Sequence, residues 1–191
     1  TFAPATDIPI PPDYVVGPGD TIQLQLYGKT NAEYTLVVNR DGTIRIPEIG
    51  PKAVAGLKFS ELQQRLESYV RNQMIGVKAY ISMGPLRSIR VFVLGDVNRS
   101  GSYTVSALST MTNALFVSGG IKEPVGSLRN VQLKREGETI TRLDLYDLLI
   151  RGDTSADARL LPGDVLFVPP VGKTAGVSGA VRRPADRKSV V

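Results

Sequence analysis

Alternation of apolar and polar residues predicts the first strands of the chain. Residues 21–26 (Thr-Ile-Gln-Leu-Gln-Leu) alternate strictly, as expected for a strand with one buried face and one wet face. Tyr34–Val38 and Thr43–Ile46 flank an Asp41-Gly42 pair, which is typical of a tight turn between antiparallel strands. We therefore expect these two segments to pair as a β-hairpin.

A helical period follows from Ser60 to Met74. Its apolar residues recur every three or four positions and form one stripe, so one face of the helix is expected to pack on the strands. Ser60 and Gln63 fit a capping box at the N-terminus of the helix, and Gly76 follows its end. Val77–Ser82 then has the composition of a returning strand.

The second half of the chain repeats this mixture of strands and short helices. We predict a strand, a helix stopped by Gly119-Gly120, a hairpin, a second helix and a final strand, in the order Ser88–Leu94, Thr110–Ser118, Arg129–Arg135 with Thr139–Leu143, Asp144–Ile150 and Val165–Val168. Asp144 is placed to cap its helix at the N-terminus, and Gly152 lies just past the C-terminus.

Two Pro-Gly-Asp turns, Pro18–Asp20 and Pro162–Asp164, each lead into a hydrophobic strand. The glycine supplies the positive φ of a type II turn, and the aspartate side chain can accept hydrogen bonds from turn amides. We therefore expect both aspartates to have structural roles.

A second internal repeat relates residues 177–184 to residues 93–100. Both segments contain the frame apolar–x–Gly–x–Val–x–Arg. A further unit is therefore expected to start near residue 175, with a strand over residues 175–184. Because that strand lacks its partners and the chain begins at Thr1 instead of Met, we expect the sequence to be a piece of a longer protein.

These patterns predict an α+β fold of two small mixed α/β domains in tandem, followed by the first strand of a further repeat. We divide the chain into an extended proline-rich lead-in (residues 1–12), a first domain (13–86), a second domain (87–172) and a truncated repeat (173–191). A length of 191 residues and a hydrophobic content of 42% are sufficient for two such cores.

The chain contains no His, Cys or Trp, which removes whole classes of chemistry. Thiolate and imidazole catalysis, Ser-His-Asp triads and ordinary zinc or haem sites are excluded. We therefore predict no catalytic residue, no metal ligand and no cofactor. Paired carboxylates that meet only in the fold leave a glycosidase as an open alternative.

Neither nucleotide nor nucleic acid is a predicted partner. The triplets Gly28–Thr30 and Gly172–Thr174 (both Gly-Lys-Thr) lack the earlier glycine of a phosphate-binding loop, since Gln23 and Phe167 occupy that position. The net charge of +5 comes partly from a basic C-terminal end, so it does not indicate nucleic-acid binding by itself.

Motifs in both domains resemble those of known export proteins. In the first domain, the motifs Asp13–Asp20, Asp41-Gly42 and Ile46-Pro47 resemble the polysaccharide biosynthesis/export domain. In the second, a SLBB (soluble-ligand-binding β-grasp) domain is indicated by Gly95, Gly119-Gly120, Asp144-Leu145, Leu148-Leu149 and Pro162-Gly163-Asp164. An export domain followed by SLBB repeats is the layout of outer-membrane polysaccharide export proteins of Gram-negative cells, and the resemblance spans residues 13–184.

The resemblance implies a non-enzymatic protein that exports capsule or exopolysaccharide. It implies a homo-oligomeric ring that lines a passive conduit across the outer membrane, with an inner-membrane polysaccharide co-polymerase among its partners. The sequence lacks the acylated N-terminal Cys, the further SLBB repeats and the C-terminal membrane-spanning helix of that family. We therefore expect a periplasmic fragment of a protein that is associated with the outer membrane. The alternative is a saccharide- or protein-binding scaffold module that forms no conduit.

Asn98, Arg99 and Tyr103, with Arg183 as the equivalent residue of the repeat, are the candidate saccharide contacts. They combine hydrogen-bonding groups with an aromatic ring, and the first three lie on a loop, where binding residues are common. The alternative is structural: residues 98–101 form a simple turn, and Tyr103 belongs to the core.

Overall fold

The structure, a computed structural model, describes residues 9–172 together with the backbone of residues 174–177 and 185–188. The chain divides into two compact units between Ser88 and Ile89. Both units combine strands with helices, which confirms the predicted α+β class.

The first unit packs a helix against antiparallel strands. Its elements are β1 (Thr21–Gly28), β2 (Ala32–Val37), β3 (Thr43–Ile46), β4 (Gly50–Ala53), α1 (Phe59–Gln73) and β5 (Val77–Met83). β1 is the central strand of a sheet in the order β2–β1–β5, while β3 pairs with β4. The core combines alternate side chains of β1 with the apolar stripe of α1, and these buried residues are Ile22, Leu24, Leu26, Leu62, Leu66 and Val70.

The Asp41-Gly42 turn forms, but the hairpin predicted around it is wrong. The Gly42 amide donates to the Asn39 carbonyl at 3.0 Å, and the Asn39 amide donates to the Thr43 carbonyl at 2.8 Å. Beyond this turn the two segments part, because β2 pairs with β1 and β3 pairs with β4. A turn sequence fixes where a chain reverses, whereas the pairing depends on where each apolar face is buried.

Helix α1 begins within one residue of the predicted start, but the predicted capping box is wrong. Gln63 donates its Nε2 to a carbonyl of β5 at 2.9 Å, and no side chain caps the helix. Instead, Phe59 N donates to Tyr14 O at 2.8 Å. Ser60 N donates to Pro12 O at 3.1 Å. Because backbone carbonyls from a distant segment satisfy these first amides, a side-chain cap is not needed.

The second unit is built around a five-stranded mixed sheet. Its elements are β6 (Ser88–Gly95), β7 (Gly101–Ser106), α2 (Met111–Val117), β8 (Val131–Arg135), β9 (Glu138–Leu143), α3 (Leu145–Arg151) and β10 (Val165–Val168). The strand order is β7–β6–β10–β8–β9, with β10 parallel to β6 and antiparallel to β8. The predicted β8–β9 hairpin is confirmed, whereas β7 was not predicted.

The predicted ends of α3 are confirmed. The Asp144 side chain accepts a hydrogen bond from Tyr146 N at 2.8 Å, as an N-cap should. Gly152 follows the helix with φ of 69°, the left-handed conformation that ends many helices.

Two short strands follow the second unit, β11 (Thr174–Val177) and β12 (Ala185–Lys188), and they pair antiparallel. The strand predicted over 175–184 is therefore confirmed in its first residues, and its partner is a later segment of the same chain. Residues 178–184 lie outside the described residues. That this segment begins a further repeat stays a prediction.

Candidate functional site

Asp20, at the end of the first Pro-Gly-Asp turn, is the centre of a buried polar network in the first unit. Its carboxylate pairs with Arg87, with Oδ2 2.6 Å from Nη1. It also accepts hydrogen bonds from Gly17 N at 2.8 Å and from the Tyr14 hydroxyl at 2.9 Å. Burial, followed by the charge of Asp20, raises the pKa of the Tyr14 hydroxyl above its ordinary range. The phenol therefore remains a hydrogen-bond donor.

Asp164 has the same role in the second unit. It accepts a hydrogen bond from Leu161 N at 2.8 Å, and Arg135 binds both of its oxygens, Nε and Nη2 each at 2.8 Å. This confirms that the two turn aspartates bond turn amides. Each also has an arginine partner that the sequence did not reveal. Carboxylates that are buried and paired in this way hold turns in place and are poorly suited to general acid catalysis.

The contact loop, residues 96–103, runs from the end of β6 into β7. Asn98 N donates to Gly120 O at 3.0 Å, and the Asn98 side-chain amide donates to Gly119 O at 2.7 Å. Arg99 N donates to Ser118 O at 3.1 Å. The loop is thus held against the segment that follows α2.

The structure brings three of the four predicted contact residues together in this loop. The Tyr103 ring is half-buried, and its hydroxyl donates to the Arg99 carbonyl at 2.5 Å. The Arg99 side chain is exposed and forms no hydrogen bond or ion pair with another residue in the described part of the chain. Asn98 and Tyr103 therefore shape the loop, and Arg99 presents a charge to solvent. Arg183 lies outside the described residues.

Sequence reasoning missed the segment that anchors the contact loop. Just before this segment, Phe116 is 62% exposed, and its carbonyl accepts a hydrogen bond from Gly119 N. Gly126 lies so close to Ile121 and to the Asp96 carbonyl that no side chain would fit there. The Gly119-Gly120 pair was the available signal, because consecutive glycines mark a sharp change of direction.

The part of the chain that the structure describes offers neither a metal site nor a membrane-spanning helix. Within it, no group of three or more acidic side chains is placed to hold a metal ion. None of its helices has the length and apolar character needed to span a bilayer.

Comparison with known proteins assigns both units to families. Residues 8–84 match the family described as polysaccharide biosynthesis/export protein, and residues 89–168 match the SLBB domain. The chain belongs to the polysaccharide export protein family. This confirms the resemblance seen in the motifs.

The names of individual relatives agree with this family. The chain is 32% identical over 171 residues to a polysialic acid transport protein KpsD of Escherichia coli, an alignment that covers 89% of this chain and 30% of that protein. A second KpsD of the same species is 31% identical. The EPS I polysaccharide export outer membrane protein EpsA of Ralstonia nicotianae is 27% identical over 151 residues, 78% of this chain and 39% of that protein. The chain thus spans about a third of the length of these relatives.

Proposed function

We propose that this chain is a periplasmic part of a polysaccharide export protein that forms or lines a passive, ring-like conduit for capsule or exopolysaccharide across the outer membrane. The alignment with a polysialic acid transport protein, which covers 89% of the chain, carries this proposal. Copies of the full-length protein assemble into the ring. An inner-membrane polysaccharide co-polymerase delivers the polymer to it, and the chain does not cut the polymer.

The contact loop supports a sliding mechanism. A conduit must release what it admits, so its contacts have to be weak and repeated. Arg99 supplies one exposed cation on a loop whose backbone amides donate to Ser118 and Gly120 carbonyls. Hydrogen bonds exchanged with water contribute only about 1 kcal/mol each. A ring of such residues therefore guides a chain without trapping it.

The test is export by the full-length protein in a strain that lacks its gene. We expect no surface polysaccharide without the protein, restoration by the wild type, and partial restoration by Arg99→Gln. Arg151→Gln is the matched control, because Arg151 is also an exposed arginine but lies on α3. Normal surface polysaccharide in the deleted strain would contradict the proposal.

Two further observations separate the conduit from its alternatives. Electron microscopy of the full-length protein should show rings, whereas monomers would favour the scaffold module. Incubation with bacterial polysaccharides should leave chain length unchanged. Shortening that disappears with one Asp→Asn or Glu→Gln substitution would show a glycosidase.

A further inference from the structure

One face of the sheet in the second unit packs on the core, and the residues of the other face are exposed or half-buried in the part of the chain that the structure describes. We call the second one the open face: it consists of the residues of β6, β8, β9 and β10 that alternate with buried ones. On β6, Ile89, Val91 and Val93 are at most 3% exposed, whereas the intervening Phe92 is 38% exposed and Leu94, next along, is 39% exposed. Two aromatic rings lie on the open face, Phe92 and the half-buried Phe167 of β10.

The strand register places cations beside these rings. Phe167 is the partner of Leu94 on one side and of Gln132 on the other, and Gln132 in turn pairs with Arg142. Because neighbouring strands lie about 4.8 Å apart, this row is about 14 Å long. The Lys134 ammonium lies 4.9 Å from the centre of the Phe167 ring, so it sits over the ring on the open face.

The cations of the open face have no acidic partners. Arg90, Lys134 and Arg142 form no ion pair within the described residues. The strands of this sheet carry a single carboxylate, Glu138, which lies at the hairpin turn opposite Arg135. Elsewhere in the unit, arginines such as Arg129 and Arg151 do have aspartate partners. The open face is therefore positive and aromatic, and complementary to a negative ligand.

We propose that the open face binds an acidic polysaccharide, with sugar rings stacked on Phe92 and Phe167 and carboxylates held by Lys134 and Arg142. Aromatic rings offer flat apolar surfaces, and guanidinium groups match the geometry of carboxylates. A protein partner fits less well, because the centres of protein interfaces are depleted of lysine, and here Lys134 lies amid the aromatic residues. The inference rests on the proposed export function and narrows its substrate to polymers with regular negative charge.

The experiment measures binding of the full chain to polygalacturonate and to fully methyl-esterified polygalacturonate of the same length. The two polymers share a backbone and differ in charge. We expect binding to polygalacturonate that weakens with salt, and about tenfold weaker binding to the ester, because several weak charge contacts act together. The double variant Lys134→Gln/Arg142→Gln should lose about three- to tenfold in affinity, as exposed charge pairs are individually weak.

Two controls keep the test specific. Lys122→Gln removes an exposed cation from the loop after α2, outside the strands that form the open face, and should bind like the wild type. Phe167→Leu keeps an apolar side chain but removes the ring under Lys134, so affinity should fall for both polymers. A circular dichroism spectrum and melting temperature for each variant exclude misfolding as the cause.

Equal binding to both polymers, or an unchanged double variant, would overturn the proposal. So would a concentration-dependent dimer that the double variant abolishes and polygalacturonate does not, because the open face would then join two copies of the chain. If the full-length protein restores export in the deleted strain but acidic polymers do not bind, the conduit proposal stands and the acidic substrate class is wrong. If acidic polymers bind but export does not depend on the protein, the binding site on the open face stands and the conduit proposal is wrong.

Discussion

At the scale of single residues, the two turn aspartates are the polar groups on which the folded state depends most. Asp20 and Asp164 are 0% and 1% exposed, and each has an arginine and a turn amide as partners. Removing one member of a buried ion pair leaves the other charge without compensation. The remaining Asp–Arg pairs of the described residues are more exposed, which makes one of them a useful comparison.

Asp20→Asn should lower the free energy of unfolding by about 3 kcal/mol, since Arg87 loses its charged partner in a buried setting. Asp147→Asn breaks the exposed pair with Arg151 and should cost at most about 0.5 kcal/mol. Urea denaturation followed by circular dichroism measures both. Equal losses in the two variants would show that the Asp20 network adds nothing beyond an exposed pair.

Tyr14 should make stability depend on alkaline pH. Its pKa is raised in the folded state, while in the unfolded chain it lies at about 10. The stabilisation from the neutral phenol is therefore complete below about pH 10 and is lost as the pH rises further. The difference in unfolding free energy between wild type and Tyr14→Phe should be constant from about pH 8 to 9 and shrink by about pH 11. A difference that stays constant to about pH 11 would mean that the hydroxyl is not held neutral by the fold.

At the scale of elements, the contact loop owes its shape to a segment that is distant in sequence. Asn98 donates its side-chain amide to Gly119 O, and backbone amides of the loop reach Ser118 and Gly120. The loop is thus held in place by hydrogen bonds to this segment. Asn98 supplies the side-chain anchor of the loop, and Arg99 supplies its exposed charge.

Asn98→Ala and Arg99→Ala should therefore separate the two properties. Asn98→Ala removes a side-chain anchor, so it should cost about 1 kcal/mol of stability and speed hydrogen exchange in residues 97–101 and 118–121. Arg99→Ala should leave exchange unchanged, because the Arg99 side chain forms no hydrogen bond or ion pair with a described residue. Hydrogen–deuterium exchange by mass spectrometry gives the comparison, and similar exchange in both variants would contradict the assigned roles.

Elements whose ends depend on neighbouring residues could be predicted from the sequence. Asp144 and Gly152 define the ends of α3 through their own conformations, so the sequence around them was sufficient. The strand that pairs with β2 and the carbonyls that cap α1 come from distant parts of the chain, and the sequence predicted neither. In the candidate site too, the sequence identified Arg99 as a loop residue but not the hydrogen bond from Arg99 N to Ser118 O, because Ser118 is distant in the chain.

At the scale of the whole molecule, each unit has its own core, and Arg87 belongs by its contacts to the first. Its main-chain amide and its guanidinium both donate to Asp20. The sequence placed the domain boundary between residues 86 and 87, which would separate Arg87 from this carboxylate.

Fragments test this organisation. Residues 87–172 should unfold cooperatively on their own, as a unit with its own core does, whereas a gradual melt would indicate a core shared between units. A fragment of residues 1–88 should be more stable than one of residues 1–86 by about 3 kcal/mol, because only the longer one keeps the Asp20–Arg87 pair. Thermal and urea unfolding of the three fragments provide the measurements. Equal stability of fragments 1–86 and 1–88 would remove Arg87 from the first unit.

The ion pairs of the two turn aspartates, Asp20–Arg87 and Asp164–Arg135, differ in where the arginine lies in the sequence. Arg87 follows its aspartate by 67 residues, whereas Arg135 precedes its own by 29. The carboxylate thus keeps its place in each turn, whereas the guanidinium comes from a different part of each unit. If one of these arginines is lost, second-site mutations should restore stability. They should place a new arginine on another segment that reaches the same turn. In a comparison of homologous chains, the Pro-Gly-Asp column would stay constant while its arginine changes column.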